Sequence, residues 1–120
     1  MKPISHKTAE HYNWPSAITN QLCDGWHLHR SETLSIIEER MPAGTAEKRH
    51  LHQHATQFFY VLAGELTVEL DGTEHRLTLS TGLTIPAQMP HQVFNRSSED
   101  ARFLVISQPP SHGDRAAAPA

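Results

Sequence analysis

The chain has 120 residues, the size of one domain with a single core. With 38% hydrophobic and 19% charged residues it has a globular composition, and its net charge of −3 argues against the clustered basic surface of a nucleic-acid-binding protein. The single cysteine, Cys23, excludes an intrachain disulfide, and we see neither a secretory leader nor an apolar run near the roughly 18 residues that a membrane span needs, so we expect a cytoplasmic protein with no membrane or nucleic-acid partner.

The first quarter of the chain carries little periodic signal. Residues 1–33 are polar and aperiodic, with one short candidate strand at 26–28 after a turn signal. We expect this segment to pack on the rest of the domain or on a partner chain. Clear strand patterns begin after it and cover 34–41, 50–54 and 58–62.

The remaining elements are also strands. Residues 66–70 alternate between apolar and polar side chains, and the Asp71-Gly72 pair that follows is a strong signal for a hairpin. The later candidate strands cover 75–79, 84–86, 91–95 and 103–107. Short strands at intervals of about 8–12 residues, with no helical period, are typical of an all-β sandwich or barrel. The pattern predicts a barrel over 34–108, preceded by the segment 1–33 and followed by a flexible tail, 109–120.

Histidine is the unusual feature of the composition, and its placement indicates a metal site. His50 and His52 are two residues apart in a predicted strand, so their side chains share one face, roughly 6.5–7 Å apart along the backbone. Gln57 enters the next strand, and His91 begins a strand far downstream. Three imidazoles and one amide oxygen on neighbouring strands form a candidate shell for one divalent ion, with open positions for water or substrate. A His-x-His pair alone would also fit surface histidines on an edge strand.

Two motifs resemble those of the cupin superfamily. The first reads G-x5-H-x-H-x4-Q-x6-G, with glutamine where the family usually has glutamate; its residues are Gly44, His50, His52, Gln57 and Gly64. The second, P-x-G-x-x-H-x3-N, is similar to the stretch from Pro86 through His91 to Asn95. It departs from the family pattern at Gln88 and Ser80, where the family has glycine. The matched stretch, about 44–95, covers most of the predicted barrel.

The resemblance implies a single-domain cupin: an antiparallel jelly-roll barrel, also called a double-stranded β-helix, with a metal inside and its mouth open to solvent. Small cupins commonly form homodimers, often through N-terminal strands, which would give residues 1–33 a role. The resemblance places the metal on His50, His52, Gln57 and His91. It leaves open whether the ion is Mn, Fe, Ni, Co or Zn, since His/Gln sites accept all of them, and whether Gln57 touches the ion or lies behind its ligands.

The glutamine affects the net charge of the predicted metal shell and therefore its chemistry. Three neutral histidines and a neutral amide leave the double positive charge of the ion uncompensated, whereas a glutamate would cancel one unit of it. The more positive ion acidifies bound water and attracts anionic groups more strongly, which favours Lewis-acid work over redox work. A similar three-histidine-plus-glutamine shell occurs in small cupins that process unsaturated uronates.

Five further residues are candidates for contact with a substrate. Phe59 and Val61 share the parity of Gln57 in their strand, and Val93 shares that of His91, so all three are expected to line the pocket. His54 continues the face of the metal histidines and would be a fourth imidazole or an acid–base group at the mouth, unless the strand ends before it. Arg40 would suit a carboxylate substrate if it faces inward, and is otherwise a solvated charge.

Three functions fit these features. The leading prediction is a metal-dependent enzyme of the isomerase, tautomerase or lyase type, in which the ion acts as a Lewis acid on a small, polar, anionic or sugar-derived substrate. An Fe(II)-dependent dioxygenase would use the open positions for oxygen and substrate. A non-catalytic cupin that binds a small molecule as a sensor is the alternative from another class.

Overall fold

Two antiparallel sheets make up the computed structural model, which describes residues 1–119. The strands in chain order are β1 (Glu10–Pro15), β2 (Leu22–Arg30), β3 (Ser35–Met41), β4 (His50–His52), β5 (Thr56–Ala63), β6 (Leu66–Leu70), β7 (Thr73–Leu77), β8 (Gly82–Ile85), β9 (His91–Phe94), β10 (Ala101–Gln108) and β11 (Arg115–Ala117). One sheet has the order β1-β2-β3-β10-β5-β8 and the other β11-β4-β9-β6-β7. The predicted all-β jelly roll is confirmed. None of the described residues belongs to a helix that is long and apolar enough to cross a membrane.

The β6–β7 hairpin forms where the sequence predicts it. Leu66 and Val68 are buried while the residues between them are partly exposed, as the period-two alternation requires. Asp71 and Gly72 connect the strands with φ angles of 48° and 90°. Positive φ at both central residues is the geometry of the two-residue turns whose twist matches paired strands, and Asp-Gly tolerates it well.

The apolar core is contributed by inward-facing residues of both sheets. Its largest members include Met41, Phe59, Leu66, Ile85 and Phe103. The rings of Phe59 and Phe103 stack with their centroids 5.8 Å apart, which links the adjacent strands β5 and β10. Phe59 also lines the large cavity described below, so the core ends where that cavity begins.

Both departures from the second cupin motif fall on left-handed backbone. Ser80 has a φ of 61° and Gln88 a φ of 67°. Glycine adopts this conformation freely, whereas a residue with a Cβ loses about 1–2 kcal/mol there. The Gln88 N–H donates to the carbonyl of His52 at 2.6 Å, so this strained turn is attached directly to β4. The chain keeps the turn geometry without the glycines.

The two ends of the chain are more ordered than the sequence suggests. The candidate strand at 26–28 lies within the nine-residue β2, which pairs with both β1 and β3 and extends the larger sheet. The tail, predicted to be flexible, forms β11 against β4, and the Asp114 carboxylate accepts the backbone N–H groups of His54 and Ala55. Backbone pairing and the Asp114 carboxylate hold this segment in place. The scarcity of apolar residues therefore did not predict its flexibility correctly.

Candidate metal centre and its cavity

Strands β4 and β9 bring three histidines together. His50 and His52 lie on one face of β4, and the antiparallel register places His91 of β9 directly opposite His50. All three side chains are buried, and each offers a ligand nitrogen within 4.8 Å of the others. The imidazole centroids of His50 and His91 are 4.4 Å apart, and those of His50 and His52 are 4.9 Å apart. The group is compact enough for one divalent ion.

Hydrogen bonds to the backbone orient two of these rings. Nδ1 of His50 donates to the carbonyl of Lys48 at 2.7 Å, and Nδ1 of His91 donates to that of Met89 at 3.0 Å. These bonds fix the proton on Nδ1 and leave Nε2 as the free lone pair, the usual arrangement of metal-ligating histidines. Nε2 of His91 is fully buried and finds no hydrogen-bond partner among the described residues. A buried lone pair without a partner fits a metal ligand.

Gln57 is placed to offer an oxygen to the same site. It lies on β5 opposite Ser107 of β10, and its Nε2 donates to the Ser107 hydroxyl at 3.0 Å. Its Oε1 is buried and, within the described chain, has no hydrogen-bond partner. Because the amide nitrogen is engaged on one side, the oxygen is presented on the other. This donor set of three imidazoles and one amide oxygen fits a divalent transition-metal ion, and ligation by Gln57 stays a prediction.

The histidines are held in the neutral form that binds metals. Burial lowers the pKa of His50 to about 3 and that of His52 to about 4, and it also lowers the pKa of His91. The nearby Arg115 guanidinium acts in the same direction on all three. Protons therefore compete little with a metal ion at neutral pH.

A cavity of about 840 Å³ opens beside the histidines. Gln57 and Phe59 contribute to its wall, and so do apolar residues of β1 and β3, among them Trp14 and Ile37. A volume of this size accommodates a small organic molecule.

Two carboxyl groups and a phenol also face this cavity. Glu39 of β3 accepts a hydrogen bond at 3.0 Å from the hydroxyl of Tyr12 on β1. The Tyr12 ring lies over Gly25, where an added Cβ would fall 2.1 Å from a ring carbon, so the glycine makes room for it. Glu47 also lines the cavity, with Oε1 3.9 Å from Nε2 of His50. Two of the three metal histidines, His50 and His52, therefore line the same cavity as these acid–base candidates.

Burial changes the proton affinity of these groups. It raises the pKa of Glu39 to about 7, although the Tyr12 hydrogen bond acts in the opposite direction. It also raises the pKa of Glu47 to about 8, and the charge of Glu39 adds to that increase. The pKa of Tyr12 is raised as well, by burial first and then by Glu39. Carboxyl groups that titrate near neutral pH suit acid–base work.

Two candidate substrate contacts lie outside the cavity. Arg40 faces away from the site, where its guanidinium donates to Asp24 at 2.7 Å and to Asp100 at 2.8 Å. The alternation in β3 turns Glu39 inward instead. His54 follows the end of β4, is exposed, and does not continue the face of the metal histidines. Neither side chain lines the cavity.

Of the three apolar candidates, one lines the cavity. Phe59 forms part of its wall. Val61 and Val93 face inward as their parity predicts, but both are fully buried in the apolar core and contribute no surface to the cavity. Alternation along each strand predicts which face a side chain occupies, but it does not indicate how far the cavity extends along that face.

Several cavity residues were missed by the sequence reasoning. Four residues that line the cavity were not singled out: Tyr12, His27, Glu39 and Glu47. Arg115 lay in the tail predicted to be flexible. Only Glu39 could have been found from the sequence, because alternation in its strand turns either Glu39 or Arg40 inward. The other residues reach the cavity through strand pairings that no local sequence pattern indicates.

Comparisons with known proteins agree with this architecture. The family model described as "Cupin domain" matches residues 37–107. The polyketide synthase CurC of Streptomyces cyaneus is 36% identical over 69 residues, which is 58% of this chain and 45% of CurC. The chain thus spans less than half the length of that relative.

Solved structures show the same fold at low sequence identity. The structure of KdgF from Halomonas sp. has a TM-score of 0.70 at 20% identity and covers 73% of this chain and 79% of its own. A sugar phosphate isomerase of the cupin superfamily from Silicibacter pomeroyi has a TM-score of 0.72 at 21% identity, covering 88% of this chain and 74% of its own.

Proposed function

The chain belongs to the cupin family, and from that premise we propose that it is a metal-dependent enzyme that moves a proton next to a carbonyl group of a small, oxygen-rich substrate. Isomerisation, tautomerisation and elimination share this step. The observation that carries the proposal is the position of the hydrogen-bonded Glu39–Tyr12 pair in the cavity that His50 and His52, two of the three clustered histidines, also line. A Lewis-acid site needs such a proton-transfer group beside it.

The metal would be held by His50, His52 and His91, with Oε1 of Gln57 as the fourth protein ligand. A divalent ion there supplies a Lewis acid that polarises a carbonyl or hydroxyl oxygen. The residues fit this role because two Nδ1 hydrogen bonds orient the rings and the Ser107 hydroxyl orients the amide. We leave the ion as one of Mn, Fe, Ni, Co or Zn, since the donor set does not select among them.

Glu39 is proposed as the group that accepts and returns the proton. Its carboxyl is held by the Tyr12 hydroxyl, and β3 directs it into the cavity. The Tyr12 hydroxyl donates a hydrogen bond to Glu39 and stabilises its carboxylate form. Glu47, which lies beside His50, adds a second carboxyl group to the lining around the substrate. Trp14, Ile37 and Phe59 give the cavity an apolar wall beside these polar groups.

The substrate class follows from the lining and from the relatives. The cavity combines carboxyl groups and imidazoles with an apolar wall, which suits a compound that has both carbonyl oxygens and a hydrocarbon part. CurC is named a polyketide synthase, and polyketide chains carry carbonyl groups of this kind. A sugar-derived hydroxy-carbonyl compound, as the isomerase-named neighbour suggests, presents the same reacting group. We therefore propose a small carbonyl compound of one of these types.

Hydrogen–deuterium exchange tests the proposed step without knowledge of the natural substrate. The zinc-loaded protein is incubated in D₂O with 4-oxopentanoate, and loss of the proton signals next to the ketone is followed by NMR. We expect the wild type to accelerate exchange over free zinc, and Glu39→Gln to lose about 100-fold or more of that rate. Glu65→Gln, which removes a surface carboxylate paired with Arg76, is the matched control and should keep the rate.

Elemental analysis of the same samples provides a second readout, because zinc content should be equal in all three proteins. Exchange no faster than with free zinc, or an unchanged rate in Glu39→Gln, contradicts the proposal. Oxygen consumption by the iron-loaded protein in the presence of an oxidisable substrate would instead support the dioxygenase alternative. Tight binding of carbonyl compounds with no turnover would support the sensor alternative.

A further inference from the structure

Arg115 differs from the other arginines of the chain. Six of the seven arginines place a guanidinium nitrogen within 4.0 Å of a carboxylate oxygen. The six are Arg30, Arg40, Arg49, Arg76, Arg96 and Arg102. Within residues 1–119, Arg115 has no carboxylate oxygen at that distance, although it lines the cavity. The charge of Arg115 reaches Glu39 and Glu47 only from beyond that distance, where it opposes the increase that burial causes in the pKa of each carboxyl group. An exposed guanidinium that lines a cavity, with no direct ion-pair partner among the described residues, is a candidate site for an anionic ligand group.

The fold directs this side chain toward the metal candidates. Arg115 is the register partner of His52 in the β11–β4 pair, and directly opposed residues project from the same face of a sheet. Its Nη2 lies 3.0 Å from Nδ1 of His50. That nitrogen already donates its proton to the Lys48 carbonyl, and two donors cannot share a hydrogen bond. The guanidinium donors at this position therefore remain available.

The strand that carries Arg115 is fixed in place. The Asp114 carboxylate accepts two backbone N–H groups that follow β4, and the Gln53 N–H donates to the Asp114 carbonyl at 3.0 Å. Ala117, on the same face as Arg115, is too small to cover it. Lys48, also on the cavity rim and exposed, adds a second positive charge near the entrance. A binding group held by its neighbours before the ligand arrives loses little entropy on binding.

We propose that Arg115 binds a carboxylate of the ligand, so that the substrate is a small oxo acid whose carboxylate lies on β11 and whose carbonyl lies at the histidines. The identity of the carbonyl end rests on the proposed function, whereas the carboxylate end rests on Arg115 alone. A planar guanidinium matches a carboxylate with two parallel hydrogen bonds, which lysine cannot reproduce. The carboxylate contact that an inward Arg40 would have offered is thus assigned to the C-terminal strand.

Calorimetry with a matched pair of probes tests this assignment. The probes are 4-oxopentanoate and its methyl ester, which differ in the carboxylate charge. In wild-type protein we expect the acid to bind at least about 10-fold more tightly than the ester. Arg115→Gln should lower the affinity for the acid about 10- to 100-fold and leave the affinity for the ester unchanged. This is the change in affinity that corresponds to the loss of a hydrogen bond to a charged group. Arg115→Lys should lie between, and the surface variant Arg96→Gln should match wild type.

Each titration is made with zinc-loaded and with metal-free protein, which separates this inference from the proposed function. An acid preference that Arg115→Gln removes in both forms supports the inference, even if no exchange catalysis is found. Catalysed exchange with unchanged acid binding in Arg115→Gln supports the proposed function and overturns the inference. Equal binding of acid and ester by the wild type, or no binding of either probe at millimolar concentrations, also overturns it. Should Arg115→Gln not fold, the decision falls to Arg115→Lys.

Discussion

Replacing Gln57 by glutamate changes the charge of the candidate metal centre with almost no change in shape. The Gln57 oxygen is buried without a partner, and its nitrogen donates to the Ser107 hydroxyl at 3.0 Å. In the variant the serine hydroxyl can turn and donate to the new carboxylate, so the side chain keeps its orientation. The main effect is therefore one added negative charge inside the site.

The size of the effect follows from that geometry. Two unit charges about 4 Å apart interact with roughly 4 kcal/mol at an effective dielectric constant of about 20. Desolvation of the buried carboxylate offsets a large part of this. We expect the zinc affinity of Gln57→Glu to rise or to stay the same. The affinity of the zinc-loaded protein for 4-oxopentanoate should fall, and catalysed exchange should drop about 10- to 100-fold, because the ion presents about one positive charge instead of two.

The assay is calorimetry of zinc and of 4-oxopentanoate, with Gln53→Glu as the control. Gln53 is exposed and lies outside the cavity wall, so this control adds the same charge to the strand region without placing it at the site. If both variants bind 4-oxopentanoate as tightly as wild type, Gln57 is not a ligand and the charge argument is wrong.

Three further predictions follow from burial, backbone geometry and the free sheet edge. Because the pKa of Glu39 is raised from 4.5 to about 7, the folded state keeps a proton that the unfolded chain loses, so wild-type stability falls as pH rises through that window. In thermal unfolding of metal-free protein, the melting temperature of Glu39→Gln should therefore gain about 10 °C over that of wild type between pH 5 and pH 8, because wild type loses about 2 kcal/mol of stability over this range; a pH-independent difference contradicts this. Gln88→Gly should stabilise the fold by about 0.5–1 kcal/mol in urea unfolding, because it relieves the left-handed residue, and a loss of stability contradicts that account. We also predict a homodimer, since β1 is an unpaired edge of the larger sheet in this chain and the nearby Ile18 is 61% exposed; light scattering at micromolar concentration should give the mass of two chains, and the mass of one contradicts it.

The part of the site that the sequence predicted depends on local periodicity and fixed motif spacing. Alternation at period two places His50 and His52 on one face whatever the rest of the fold does. The spacing to His91 is that of a known barrel motif, and the register of β4 and β9 agrees with it. The β6–β7 hairpin was equally predictable, because its turn needs positive φ angles that the Asp-Gly pair tolerates.

The other half of the cavity depends on information that no local pattern contains. Ile36 and Ile37 are both apolar, so the pattern of β3 does not decide whether Glu39 or Arg40 faces inward. Arg115 reaches the site through backbone pairing of a tail with few apolar side chains, which a hydrophobicity pattern does not detect. The sequence also does not show how far the cavity extends along each strand. Val61 therefore shares the face of Gln57 but packs in the core instead of lining the cavity.

Anomalous diffraction from crystals of the zinc-loaded protein, measured at the zinc absorption edge, tests the central claim most directly. We predict one anomalous peak per chain, about 2.0–2.1 Å from a nitrogen of each of His50, His52 and His91, with Oε1 of Gln57 completing the protein ligands. A peak at any other position, or no peak in crystals grown with excess zinc, would contradict the account of this cavity as a metal-dependent active site.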